Sequence, residues 1–275
     1  MHYNTLFVYL VLAMLTTACR PDTPDATTNT MTAPDRDSLA IAPLLPLTTR
    51  QLVIVVTPHP DSITAQMAWL SRKSDTQPWQ VVRPPYPVSL GRAGLAPGRG
   101  EYSSTSLHPT EVTDKHEGDG KSPSGLFTFG TAFGYADASA ARAAGITGLP
   151  YTPITAVTQC IEDGRSSHYN TILDNTTVDK DWEAGDFMRR DDDLYKWGVF
   201  VNHNTPAEAD AGSCIFLHLW RGEGKPTAGC TAMTEDRMLD LLQWLDHEQA
   251  PRLLQVTAEV YEQIKDQLLP DTKLF

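Results

Sequence analysis

The sequence predicts a mainly β domain with a few helices. Short β-branched and alternating apolar runs fill its first two thirds, glycines and prolines punctuate them, and helical spacing is confined to a few stretches. From Gln51 the run QLVIVVT, ending at Pro58, reads as a buried strand. Ala65, Met67 and Trp69 then alternate with Thr64, Gln66 and Ala68, residues 73–78 break the pattern, and Trp79 to Val82 resume it. This is the signature of a β-hairpin, with a helix from Ser62 to Arg72 as the alternative. Gly- and Pro-rich pieces at 84–100 and 118–134 predict loops between short strands. An Ala-rich stretch from Asp137 to Ala144, ended by Gly145, reads as a short helix. Between Ser213 and Leu219, Cys214, Phe216 and His218 share one face of a strand, and Ile215, Leu217 and Leu219 the other. After Thr234, a capping residue, Glu235 and Asp236 suit a helix N-terminus, and Met238, Leu241, Leu242 and Leu245 recur at helical spacing. Leu253 to Val256 reads as a last strand. Val260, Tyr261, Ile264 and Leu268 mark a last helix.

With 275 residues and 41% hydrophobic content the chain can bury a real core. A net charge of -12 opposes a phosphate backbone, so no nucleic-acid partner is expected. No apolar run reaches the ~20 residues of a bilayer span; Leu6 to Leu15 has the length of a signal-peptide core. Thr16-Thr17-Ala18-Cys19 resembles the lipobox of bacterial lipoproteins, although Thr16 stands where that pattern prefers Leu and no Lys or Arg precedes the apolar run. The expectation is a signal peptide over 1–18, a lipidated Cys19 opening a Thr-, Pro- and Asp-rich tether over 19–49, a folded domain over 50–257, and a C-terminal helix and tail over 258–275. The protein would then sit on the periplasmic face of a bacterial membrane, touching the membrane through its lipid anchor only.

The chemistry gathers in GSCIFLHLWRGEGKPTAGCTAM, from Gly212 to Met233. His218 lies near the end of its strand, and the segment from Arg221 to Thr227 can fold back to bring Cys230 beside it. A neighbouring imidazole and a nearby helix N-terminus would both raise the thiolate fraction of Cys230. The N–H groups of Gly229 and Cys230 could hold an oxyanion, which suits acyl transfer from an amide. For an isolated Cys and His the favoured reading is a buried structural cysteine and a core histidine, and the spacing alone does not overturn it.

This stretch resembles the active-site signature of the L,D-transpeptidase catalytic domain, the YkuD-type family, with an upstream His and a [Ser/Thr]-x-Gly-Cys turn matched by His218, Thr227, Gly229 and Cys230. A second match runs from Lys115 to Phe127 (KHEGDGKSPSGLF), similar to the family's G-[DE]-x-x-[TS]-P-x-G-x-F segment. Gly91 to Gly94, Phe133 to Tyr135 and Met188 to Asp192 extend the likeness over roughly residues 50 to 257. The resemblance implies an L,D-transpeptidase-like β-sandwich and a thioester acyl-enzyme formed on Cys230 from a peptidoglycan stem tetrapeptide, with His218 as base. Thr227, Arg221, Arg190 and His116 are its candidate substrate-binding residues, Arg189 being a further cation. Ala228 and Ala232 stand where family members often carry a His and an Arg or Asn. Same-fold alternatives are an L,D-carboxypeptidase and a peptidoglycan-lipoprotein amidase; the alternative from another class is a non-catalytic wall-binding lipoprotein.

If Cys19 carries lipid and Cys230 is the nucleophile, Cys160 and Cys214 remain as a disulfide pair, with two buried thiols or a Cys214–Cys230 bridge as the other arrangements. His59, His108, His116, His168 and His203 fall in no HExxH or Cys-x-x-Cys pattern, and GDGKSPSG lacks the phosphate-loop spacing. Neither a metal nor another cofactor is expected.

Overall fold

A computed structural model describes residues 44–101, 113–270 and 272–275. Leu6 to Leu15, Cys19, most of the tether and His108 lie outside the described residues, so the readings made on them receive no structural account.

Strands β1 (Gln51–Thr57), β2 (Thr64–Ser71), β3 (Gln80–Ser89), β4 (Leu95–Pro97) and β5 (Ser122–Gly134) come first, followed by helix α1 (Ala138–Ala143). Then come β6 (Tyr151–Pro153), β7 (Thr158–Ile161), β8 (Ile172–Asp174), β9 (Gly185–Phe187), β10 (Trp197–Val201), β11 (Phe216–Leu219) and β12 (Thr231–Met233). Helix α2 (Glu235–Trp244), strand β13 (Arg252–Thr257) and helix α3 (Ala258–Leu268) complete the chain. The large sheet runs β10-β11-β12-β3-β2-β1-β13-β5-β4, with β6 added along β5. Because β5 also pairs with β10, the sheet closes on itself, and the layers of the expected sandwich are opposite walls of one curled sheet.

The closure depends on the 13 residues of β5. Gly125 to Thr128 pair with β13, and Phe129 to Gly134 with β10. Strand β1 is buried throughout because it has a core on each face. Val53 and Val55 join an interior cluster with Met67, Trp69, Phe127 and Leu217. Leu52, Ile54 and Val56 join a second cluster that α3 covers with Val260, Tyr261 and Leu268. A helix period at 62–72 loses to this arrangement: β2 pairs with β1 and β3, so its two-residue period decides, as the hairpin reading expects. Helix α2 starts at its Thr234 cap, whose side chain accepts from the Arg237 N–H, and Trp244 stacks on Trp69 with centroids 5.5 Å apart.

A smaller sheet, β8-β7-β9, stands apart from the large one. It is tied to the segment before β11 by a Cys160–Cys214 disulfide with Cα atoms 6.0 Å apart, while Cys230 is free. The expected strand from Ser213 is shortened to Phe216–Leu219. Cys214 adopts φ +56°, in the left-handed region, where its N–H donates to Asn170 Oδ1 at 2.9 Å. The predicted division of faces holds on either side of this kink: Ile215, Leu217 and Leu219 enter the interior cluster, while Cys214 and Phe216 join Cys160 and Cys230 outside it.

The disulfide spans 54 residues of sequence, so the chain-entropy account expects its removal to cost about 4 kcal/mol. Cys160→Ser with Cys214→Ser should lower the urea midpoint accordingly. Iodoacetamide on unreduced, denatured residues 20–275 should add one label, and three after reduction; three labels without reductant would contradict the pairing.

Candidate active site

The outer face of β11 carries the candidate chemistry. His218 is flanked by Gly198 on antiparallel β10 and by Ala232 on parallel β12. Its Nδ1 lies 2.6 Å from the Leu219 carbonyl, and a carbonyl only accepts, so Nδ1 carries the proton and Nε2 is left as the basic nitrogen. The Tyr195 ring stands edge-on to the imidazole at 5.3 Å, with its hydroxyl donating to Asp186 Oδ2 at 2.9 Å.

The cysteine turn is pinned from three sides. The Thr227 hydroxyl donates to the Cys230 carbonyl at 2.6 Å and accepts from the Gly229 N–H at 3.1 Å. Ser122, opening β5, donates to the same carbonyl at 2.9 Å. Thr231 then donates to Gln255 on β13, whose amide donates to the Pro123 carbonyl, each at 2.7 Å. The Cys230 sulfur sits 3.3 Å from the Phe216 N–H, which donates to it, and 3.7 Å from the Cys214 carbonyl, which can accept from the thiol. Cys230 therefore lies beside position 216, one two-residue side-chain repeat from His218 on the same face. No hydrogen bond joins the His218 ring to the thiol.

A cleft of ≈ 430 Å³ opens over this floor. Cys230, His218, Gly229, Thr227, Arg190 and Arg221 all line it. His116 does not: its side chain is exposed, and the neighbours Lys115 and Glu117 face the cleft instead. The Thr227 hydroxyl lines the cleft but is committed within the turn. So is the Gly229 N–H, which leaves only the Cys230 N–H of the two expected oxyanion donors without an acceptor among the described residues. Arg190 is held by Asp192 at 2.9 Å and lies over the Tyr195 ring; Arg221 is largely exposed, 3.9 Å from Asp192. Arg189 stacks on Tyr135 and does not line the cleft. Glu162, Asp186 and Tyr195, together with Arg92 and Lys115, also line it. The first three carry no pattern in the sequence: Glu162 and Asp186 are presented by the small sheet, which is set by tertiary pairing, and Tyr195 by the turn that leads into β10. Lys115 lies inside the motif from Lys115 to Phe127. Among the described residues no group of three or more His, Cys, Asp or Glu is arranged to hold a metal.

Burial dominates the electrostatics. It pushes the Cys230 thiol up to about 12, with the Phe216 N–H opposing and Asp186 adding to the rise. It pushes His218 down to about 4, against the Leu219 hydrogen bond, with Arg221 and Arg190 adding to the fall. The resting pair is a neutral thiol and a neutral imidazole. The expectation of a thiolate raised by a helix N-terminus is corrected: all of β12, roughly 10 Å of strand, separates Cys230 from the start of α2. Glu162 is pushed up to about 7 by burial, then by Asp186 and Glu117.

Residues 54–260 match the family model described as the L,D-transpeptidase catalytic domain, YkuD. No curated protein and no solved structure matches the chain.

Buried neutral histidines make acid destabilising. His203 is also pushed down to about 4 by burial, its ring held between the Arg99 N–H and the Ala211 carbonyl. Both histidines are depressed bases, so their contribution is complete above about pH 6.5 and is lost as pH falls towards 4. Glu162 is an acid held high; its contribution is lost as pH rises through about 7, in the opposite sense. Melting temperature should fall between pH 6.5 and 4.5, less steeply in His203→Gln and more steeply in Glu162→Gln. Identical slopes in all three proteins would refute this assignment.

Proposed function

Because this chain belongs to the L,D-transpeptidase catalytic domain family, we propose that it is a cysteine acyltransferase of peptidoglycan stem peptides, with Cys230 as nucleophile and His218 as base. The observation that carries this reading is a neutral histidine on β11 and a free cysteine in the turn just before the neighbouring β12, both at the floor of one cleft.

The proposed cycle starts from the neutral pair. A thiol near 12 beside an imidazole near 4 makes a standing ion pair a minor species, so proton transfer accompanies attack. As the donor carbonyl reaches the sulfur, the S–H proton passes to His218 Nε2 and the sulfur electron pair forms the new C–S bond. The tetrahedral oxyanion takes the Cys230 N–H as donor. Collapse breaks the C–N bond to the terminal D-Ala, whose nitrogen takes the proton from His218, and a thioester remains. An acceptor amine attacks that thioester while His218 takes its proton, and Cys230 recovers its proton when the thiolate leaves. Leu219 holds the ring through Nδ1, so one tautomer serves both halves.

In the finer reading, the donor is a tetrapeptide cut between the L-centre of diaminopimelate and D-Ala, and the acceptor is an amine. Water as acceptor makes the protein an L,D-carboxypeptidase, and attack on a wall-attached lipoprotein makes it an amidase. We further infer that it works on the periplasmic face of a bacterial membrane, anchored at Cys19. The Cys160–Cys214 disulfide supports an oxidising compartment.

Incubating residues 20–275 with purified tetrapeptide muropeptides, beside Cys230→Ala, tests the reading by intact-protein and muropeptide mass spectrometry. A Cys230-dependent acyl adduct with crosslinked dimers or D-Ala exchange is the expected result. An adduct with only shortened monomers identifies the hydrolase. No adduct and no product under reducing conditions turns the reading to the wall-binding lipoprotein.

A further inference from the structure

Lys115 has a setting unlike that of any other cation at the cleft. Its side chain is 4% exposed, against 30% for Arg190 and 57% for Arg221. Its stem passes over Gly212, where a Cβ would lie 3.0 Å from Lys115 Cε and where φ is +87°, a conformation that favours glycine. Its Nζ reaches the cysteine turn, 3.7 Å from where a Cβ on Gly229 would stand. A side chain at Gly212 would crowd this path, and one at Gly229 would touch the ammonium.

An ammonium has three N–H bonds to place, and burying it without partners is costly. Two acceptors are in range: Asp119 Oδ1 at 2.7 Å and the His116 carbonyl at 3.3 Å. No third acceptor lies in range among the described residues, and the ammonium stands against the Gly229–Cys230 turn. Asp119 is itself held in place: it also accepts from the N–H groups of Lys121 at 2.8 Å and His116 at 2.9 Å, and against burial these bonds and the one from Lys115 hold its carboxyl below the usual range. The pair is therefore a fixed arm that aims one positive charge at the turn.

We propose that Lys115 is the electrostatic partner of the nucleophile, supplying the positive charge that stabilises the Cys230 sulfur as it loses its proton. This inference rests on Cys230 being the nucleophile. In the step concerned, the S–H bond breaks, the proton goes to His218 Nε2, the electron pair stays on sulfur, and Lys115 exchanges no proton. The need is plain from the groups that face the thiol. Burial opposes its ionisation, Asp186 on β9 and Glu162 after β7 oppose it further, and Tyr195 and His218 beside it are neutral. The Phe216 N–H and Lys115 are the groups that act the other way. Arg190 spends its charge on Asp192 and Asp186, and Arg221 stands in solvent, where screening is strong. Lys115 thus fills a role that the α2 terminus is too far away to fill, and it offers the turn a cation where Ala232 follows Cys230 by two places.

The test is the pH profile of Cys230 alkylation by iodoacetamide in the full-length chain, from pH 6 to 10, read at Cys230 by peptide mass spectrometry. It needs no peptidoglycan, so its failure is separable from failure of the stem-peptide reading. Lys115→Gln, which keeps a polar contact to Asp119 without the charge, should alkylate about tenfold more slowly at pH 8, where the rate follows the small thiolate fraction, and should stay below wild type along the rising limb up to pH 10. Lys115→Arg should lose less. Asp119→Asn, which removes the neutralising charge, should alkylate faster than wild type. A folded Lys115→Gln, judged by near-ultraviolet circular dichroism, with the wild-type profile overturns the proposal. If that variant does not fold, an Asp119→Asn profile that is unchanged or slower overturns it.

Discussion

Strand β5 must pair first with β13 and then with β10 along its length, and the architecture of the site follows from that. Its first half lies against β13 and its second against β10, which closes the sheet. Closure brings the Ser122 end of β5 under the cysteine turn, where its hydroxyl donates to the Cys230 carbonyl. Through Gln255, β13 binds both the residue after the cysteine and the Pro123 carbonyl. A turn that would otherwise be a mobile surface loop is thereby fixed at its carbonyl, its following hydroxyl and its sulfur. These bonds are buried, so breaking any one leaves an unsatisfied polar group, and they enforce one geometry more strongly than their net contribution to stability implies.

The same burial that gives the turn its precision works against its chemistry. A thiol among Phe216, Cys214 and Tyr195 is hard to ionise, and a histidine packed edge-on to Tyr195 is hard to protonate. The site resolves this by staying neutral until a substrate carbonyl is present. The charges it does hold are tied into pairs, Lys115 with Asp119 beside the cysteine turn and Arg190 with Asp192 nearer the rim. Charged groups are thus arranged around the reacting atoms, while the sulfur itself rests uncharged against the Phe216 N–H and the Cys214 carbonyl.

Much of this is legible in the amino-acid sequence. The alternation through Cys214, Phe216 and His218 follows from the pleat alone, and the Thr234 cap and the leucines after it specify α2 locally. The two motifs identify the pieces that meet, Ser122 and Pro123 from one and Thr227 to Cys230 from the other. What the sequence hides is what depends on pairing between distant segments. Strands β8, β7 and β9 are short and half-polar, so nothing in their pattern announces that they bring Glu162 and Asp186 over the cleft. The orientation of the loop from Lys115 to Lys121 is equally unreadable: a backbone turn held by Asp119 sends the lysine inward and the histidine beside it outward. Proximity along the chain misleads in the other direction, since Thr234 is only four residues from Cys230 yet an extended strand carries it away.

The parallel pairing of β1 with β13 sets Leu52 beside Arg252 and Thr57 beside Thr257. The central strand of the sheet can find its neighbour only when nearly all of the chain has been made. Contacts of such long sequence separation form slowly, because the loop between them must close before any stabilisation is returned. A nascent chain that stops short of residue 252 holds an open sheet with β1 bare along one edge. Such a chain is vulnerable to sticking to its neighbours for as long as that edge waits.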